Sequence, residues 1–136
     1  MIKVKIHTID GQFDVEIKRN EDFYALLVIA SKSEYFRDHN GKVWSGKILE
    51  TEKLFEITNL IKECYRNPSV PTRITILDGR SIKINLQDDE SQISLRLIDI
   101  DENTNESKLI QKIKEFTIEI IGNDTILQDY LDIFMD

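Results

Sequence analysis

The chain has 136 residues, 40% of them hydrophobic and 32% charged, with 25 acids against 18 bases and a net charge of −7. That size and balance suit one globular domain, residues 1–136, with a core of its own, and exclude disorder, which needs far fewer Ile, Leu, Val and Phe. A lone cysteine, Cys64, excludes an internal disulfide and a cysteine metal cluster, and the longest apolar run, Phe23 to Ala30, is far below the roughly 20 residues that span a bilayer.

Alternation begins at once in Met1-Ile2-Lys3-Val4-Lys5, which does not read as a signal peptide, so the expected location is cytoplasmic, away from membranes. If Asp10-Gly11 forms a two-residue turn, Thr8 faces Phe13, Ile6 faces Val15 and Val4 faces Ile17. Lys5 then meets Glu16 and His7 meets Asp14 on the opposite face. Asn20-Glu21-Asp22 supplies capping residues ahead of Phe23-Tyr24-Ala25-Leu26-Leu27, so residues 21–36 read as a helix. Val28-Ile29 leaves a buried strand as the alternative. Thr51 is placed to cap a helix with Leu54, Ile57, Leu60, Ile61 and Cys64 on one face, closed by Asn67-Pro68.

A second Asp-Gly, Asp78-Gly79, separates Ile74-Thr75-Ile76 from Ile82-Lys83-Ile84-Asn85-Leu86. A longer loop or a bulge there pairs Ile76 with Ile82 and Ile74 with Ile84, and Ile93, Leu95 and Leu97 read as a third strand of this meander. The clearest helix runs from about Asn105 to Ile121, with an apolar stripe from Leu109 to Ile121 and Gly122 as its stop. Asp124 then caps a terminal helix that turns Ile126, Leu127, Tyr130, Leu131 and Phe134 inward.

The expected class is therefore α+β: two β-hairpins of an antiparallel sheet packed with about four helices, the last two a C-terminal pair. A joint falls near residues 67–71, although one shared core is expected. Hairpin followed by helix, from Met1 to about Lys32, resembles the opening of a β-grasp fold; the likeness is of element order over a quarter of the chain and implies no activity.

Charge is placed unevenly. Residues 1–50 hold 8 bases and 8 acids, residues 51–86 hold 6 and 4, and residues 87–136 hold 4 and 13. An acidic last third repels phosphates and suits a basic protein, so no direct contact with nucleic acid is expected. Glu102, Glu106, Asp124, Asp129 and Asp132 fall on loops or polar helix faces and are expected to turn to solvent together as partner-binding residues. Tyr35, Phe36 and Trp44 lie among Arg37, Lys42 and Lys47, and Trp44 and Tyr35 join the candidate contact set because aromatics anchor interfaces.

The remaining patterns carry less chemistry. Asp99, Asp101 and Asn103 alternate as in a calcium loop, but Thr104 and Ile110 stand where such a loop needs glycine and glutamate, so no metal is expected. His7 and His39 are the only histidines, Cys64 sits on an apolar face with nothing to activate it, and the 5 glycines are scattered singly, so no phosphate loop or other cofactor site is expected. The acids of Asp88-Asp89-Glu90 lie in a polar run rather than an apolar pocket. The leading reading is a non-enzymatic inhibitor, resembling bacterial immunity proteins in general character, that neutralises a basic partner such as a toxin nuclease domain, as a monomer or weak homodimer. A phage-encoded or host adaptor, or a subunit of a larger assembly, is the second reading, and an enzyme with an unfamiliar site near His39 the third.

Overall fold

The computed structural model describes residues 1–8, 11–32, 41–69, 80–97 and 100–135. Among them are six strands, β1 (Ile2–Thr8), β2 (Gly11–Arg19), β3 (Tyr24–Lys32), β4 (Lys42–Ile48), β5 (Ser81–Gln87) and β6 (Gln92–Leu97), and three helices, α1 (Glu52–Arg66), α2 (Asn105–Ile121) and α3 (Thr125–Met135). The class is α+β. The strands form one antiparallel sheet in the order β4-β3-β2-β1-β5-β6.

Period-2 alternation fixes which side of that sheet is inside. In one cross-strand row Trp44, Val28, Val15, Val4, Ile84 and Leu95 stand side by side, and the helices cover this face. Buried residues of all three helices join the inward residues of the strands in a single core cluster. Gly46 matters to this packing. A Cβ there would lie 2.6 Å from Ile120 Cγ2 and 3.2 Å from the Ile120 carbonyl, so its bare backbone lets the end of α2 close on β4.

Four expectations need correction. The first hairpin pairs Ile6 with Phe13, Val4 with Val15 and Ile2 with Ile17, two residues away from the Ile6–Val15 register. Both registers keep the same faces, but the expected one sets Ile2 against Arg19 and Lys3 against Lys18. The observed one buries Ile2 and Ile17 together and gives Lys3 an ion pair with Glu16 at 3.4 Å. Residues 24–32 are a strand, not a helix, because β2 and β4 both pair with them. Its apolar run alternates, with Leu26, Val28 and Ala30 buried on the inner face and Ala25, Leu27 and Ile29 on the outer one. This removes the β-grasp-like order and leaves three helices, not four, among the described residues. Finally, β5 has β1 on one side and β6 on the other, so Ile82 meets Ile6 and Leu97, and Ile84 meets Val4 and Leu95. No edge of β5 is left for the expected pairing with Ile76 and Ile74, which themselves lie outside the described residues.

The later elements follow the sequence closely. Thr51 precedes α1 but its side chain makes no capping bond, and Leu54, Ile57, Ile61 and Cys64 are buried. Helix α2 spans Asn105–Ile121, with the Thr104 hydroxyl accepting from the Ser107 N–H at 3.2 Å and Gly122 closing it at φ 96°. The expected third strand of the meander is β6.

Candidate functional site

The acids of the last third are not gathered into one solvent-facing group. Glu106 is only 7% exposed and lies at the start of α2, where one carboxylate oxygen accepts from the Ser69 N–H at 3.0 Å. Its other oxygen, Oε2, has no hydrogen-bond partner among the described residues. Burial pushes its pKa up, but the Ser69 N–H, the Ser69 and Thr104 hydroxyls and the helix's own N–H outweigh that and hold it below the usual carboxylate range. The expectation that Glu106 turns to solvent is therefore corrected: it ties the segment after α1 to α2.

Asp124 is similarly committed. Its Oδ1 accepts from the Ile126 and Leu127 N–H groups at 2.9 and 3.0 Å, capping α3, and its Oδ2 accepts from Trp44 Nε1 at 3.3 Å. The Leu127 N–H is the chief cause that its pKa lies below the usual value. Trp44 belongs to β4 rather than to a loop. It is half-buried on the inner face and meets Tyr130 edge-on at 5.8 Å. It thus fastens the sheet edge to α3. Tyr35, with Phe36, Arg37 and His39, lies outside the described residues.

The other candidates are exposed but dispersed. Glu102 sits in the turn before α2, beside Asn103, which holds the left-handed backbone at φ 63°. Asp129 and Asp132 lie on α3. Asp132 comes within 3.6 Å of Lys114 on α2 while its side chain stays 61% exposed.

Asp129 and Asp132 share their part of α3 with residues that the sequence placed elsewhere. Leu127, Tyr130, Leu131, Phe134 and Met135 turn inward, and Phe134 stacks on Phe13 at 5.5 Å. At 100° per residue, the opposite arc of the helix holds Ile126, Asp129, Asp132 and Ile133. Ile126 is 47% exposed and Ile133 44%, so the expectation that Ile126 turns inward is corrected. Two apolar side chains with two carboxylates between them on one solvent-facing arc can bury area against a partner and attract its cations. The signal was present in the sequence, since Ile126 and Ile133 are seven apart and fall on a different side from Leu127 and Leu131.

The remaining patterns resolve into structure. Burial is the main cause that raises the Cys64 thiol to about 11, so it stays protonated at neutral pH. Asp88 accepts from the Glu90 and Ser91 N–H groups at 2.9 and 2.6 Å and pairs with Lys62 at 3.3 Å, fixing the β5–β6 turn. Among the described residues no three His, Cys, Asp or Glu side chains are grouped to hold a metal ion; Asp99 lies outside them. No helix among the described residues is long and apolar enough to cross a membrane. Comparison with known proteins finds no matching family model, no matching curated protein and no matching solved structure.

Proposed function

We propose that this chain is a non-enzymatic binding domain that docks a basic protein partner on the outward arc of α3, as an inhibitor or immunity-type neutraliser. The observation that carries this reading is the pairing of exposed Ile126 and Ile133 with exposed Asp129 and Asp132 on a helix whose other side is fully used by the core. Isolated exposed apolar residues are ordinary on any surface, but here two share one arc with a pair of carboxylates between them along the helix, which supplies apolar contact and charge side by side. A basic nuclease fits best among partners, because an acidic inhibitor is steered to the cationic groove that holds the nucleic acid.

The test uses the product of the adjacent gene where that product is a basic nuclease domain, with association measured by interferometry and nuclease activity assayed alongside. Binding that blocks cleavage, and that weakens about tenfold or more when Ile126→Ser and Ile133→Ser are combined, is the expected result. Binding indifferent to these substitutions places the interface elsewhere, and no binding to a basic neighbour removes the neutraliser reading.

A further inference from the structure

The side of the sheet that the helices leave uncovered has its charges unevenly matched. On β2, Glu16 lies 3.4 Å from Lys3 and 3.5 Å from Lys18, so those two bases share one carboxylate. One row along, β1, β5 and β6 set Lys5 opposite Lys83, and Lys83 opposite Arg96. All three side chains are exposed, and among the described residues none of them forms an ion pair. Strand spacing lines the three cations along roughly 10 Å of the sheet surface. Like charges set directly opposite each other destabilise an antiparallel pair. Lys5 also faces Asp14 across β1 and β2, but Lys83 stands between two cations, an arrangement that costs stability in a chain with 25 acids and 18 bases to place.

The same row continues through Asp14 to Ile29 and Val43, which are 38% and 64% exposed. Asp14 is itself held by Gln12, whose amide donates to both carboxylate oxygens at 3.1 and 2.9 Å. One line across a flat face thus offers cations at one end and an apolar strip at the other. The outward residues of β1, β5 and β6 include no Phe, Tyr or Trp, and sheet faces that bind single-stranded nucleic acid rely on such rings for stacking. An acidic protein segment needs only cations for its carboxylates and an apolar strip for its anchor.

We infer that the open sheet face docks an acidic segment of a second protein, with Lys5, Lys83 and Arg96 receiving its carboxylates and Ile29 and Val43 its apolar anchor. This surface lies on the opposite layer from α3 and does not depend on the reading of that helix. A domain with both surfaces bridges a basic protein and an acidic one.

The test is fluorescence anisotropy of a labelled glutamate-rich peptide with the full chain at low salt, run beside a labelled DNA duplex and phosphatidylserine vesicles. The peptide should bind, and Lys83→Glu with Arg96→Glu should weaken it about tenfold, whereas Lys108→Glu on α2 should leave it unchanged. The melting temperature of Lys83→Glu should hold or rise, because the substitution sets an acid between Lys5 and Arg96, so weaker binding there cannot come from unfolding. The inference is overturned by absence of peptide binding, by equal binding of the variants, by a fall in that melting temperature, or by the row binding DNA or vesicles in place of the peptide. Each of these outcomes leaves the α3 reading standing, because Ile126 and Asp129 are unchanged in every variant.

Discussion

At the scale of single residues, a carboxylate's position in the chain says little about its work. Glu106 has a folded-state pKa below its ordinary one, so its ionised form is bound more tightly in the folded chain than in the unfolded one. The stability it contributes is complete above the ordinary carboxylate range and is lost as the pH falls through the folded value. Glu106→Gln should therefore lower stability at neutral pH by about 1–2 kcal/mol, and the gap should close as thermal melts are taken down towards pH ~3. A gap that is the same at every pH would show that the Ser69 contact does not need the charge. Asp124 makes the complementary case, since one oxygen caps α3 while the other receives Trp44. Asp124→Ala should lower the urea-unfolding midpoint through the lost cap, and Trp44→Phe should cost less in the Asp124→Ala background than in the wild type. Additive effects in that double-mutant cycle, read from urea unfolding, would mean that the 3.3 Å contact carries no energy. The Asp124 cap was legible because it is local, but the two long-range contacts were not, since Ser69 is 37 positions from Glu106 and Trp44 is 80 from Asp124.

Among the elements, legibility followed the range of the interactions that decide them. The limits of helix α2 could be read closely, because a continuous apolar stripe and a glycine stop are local signals, although the cap proved to be Thr104 and Glu106 proved buried. The first hairpin could be read by face but not by register, because shifting by two residues preserves the alternation that identifies strands. The information that separates the two registers was available in the chain, since only the observed one avoids setting Lys3 against Lys18. Strand β3 was decided by its neighbours. Nothing within Tyr24–Lys32 announces that β4 pairs along its far side, and that pairing turns an apolar run into an interior strand. The insertion of β5 beside β1, across more than 70 residues of chain, is a long-range choice of the same kind. Gly46 tests how tightly the layers depend on one another. Gly46→Val should destabilise the fold by about 1–3 kcal/mol in urea unfolding, since Ile120 and its carbonyl occupy the space a side chain needs. An unchanged midpoint would show that the end of α2 can withdraw from β4 without loss.

Across the whole molecule, folding redistributes the charge that the sequence concentrates at its end. Of the acids after residue 86, Asp88 fixes a turn, Glu106 is buried, Asp124 caps a helix, Glu119 pairs with Lys53 on α1 and Asp132 approaches Lys114. What emerges is segregation by layer rather than by sequence. The open sheet face carries Lys3, Lys5, Lys18, Lys47, Lys83 and Arg96 against Asp14 and Glu16, while the outward arc of α3 carries Asp129 and Asp132. Exposed charges act over about 8 Å at physiological salt, less than the path through a sheet and the helix layer above it, so each surface is felt by its own partner. Charges at the edge of an interface act mainly on encounter, whereas buried apolar anchors act on residence. Asp129→Asn with Asp132→Asn should therefore slow association with a basic partner several-fold and leave dissociation nearly unchanged, with the effect fading as salt is raised. Ile126→Ser should do the reverse, speeding dissociation while leaving the salt dependence intact. Stopped-flow association and chase experiments on the two variants separate these effects. If both variants changed only the dissociation rate, the acids would be buried contacts rather than steering charges, and the centre of the interface would have to be placed closer to Asp132.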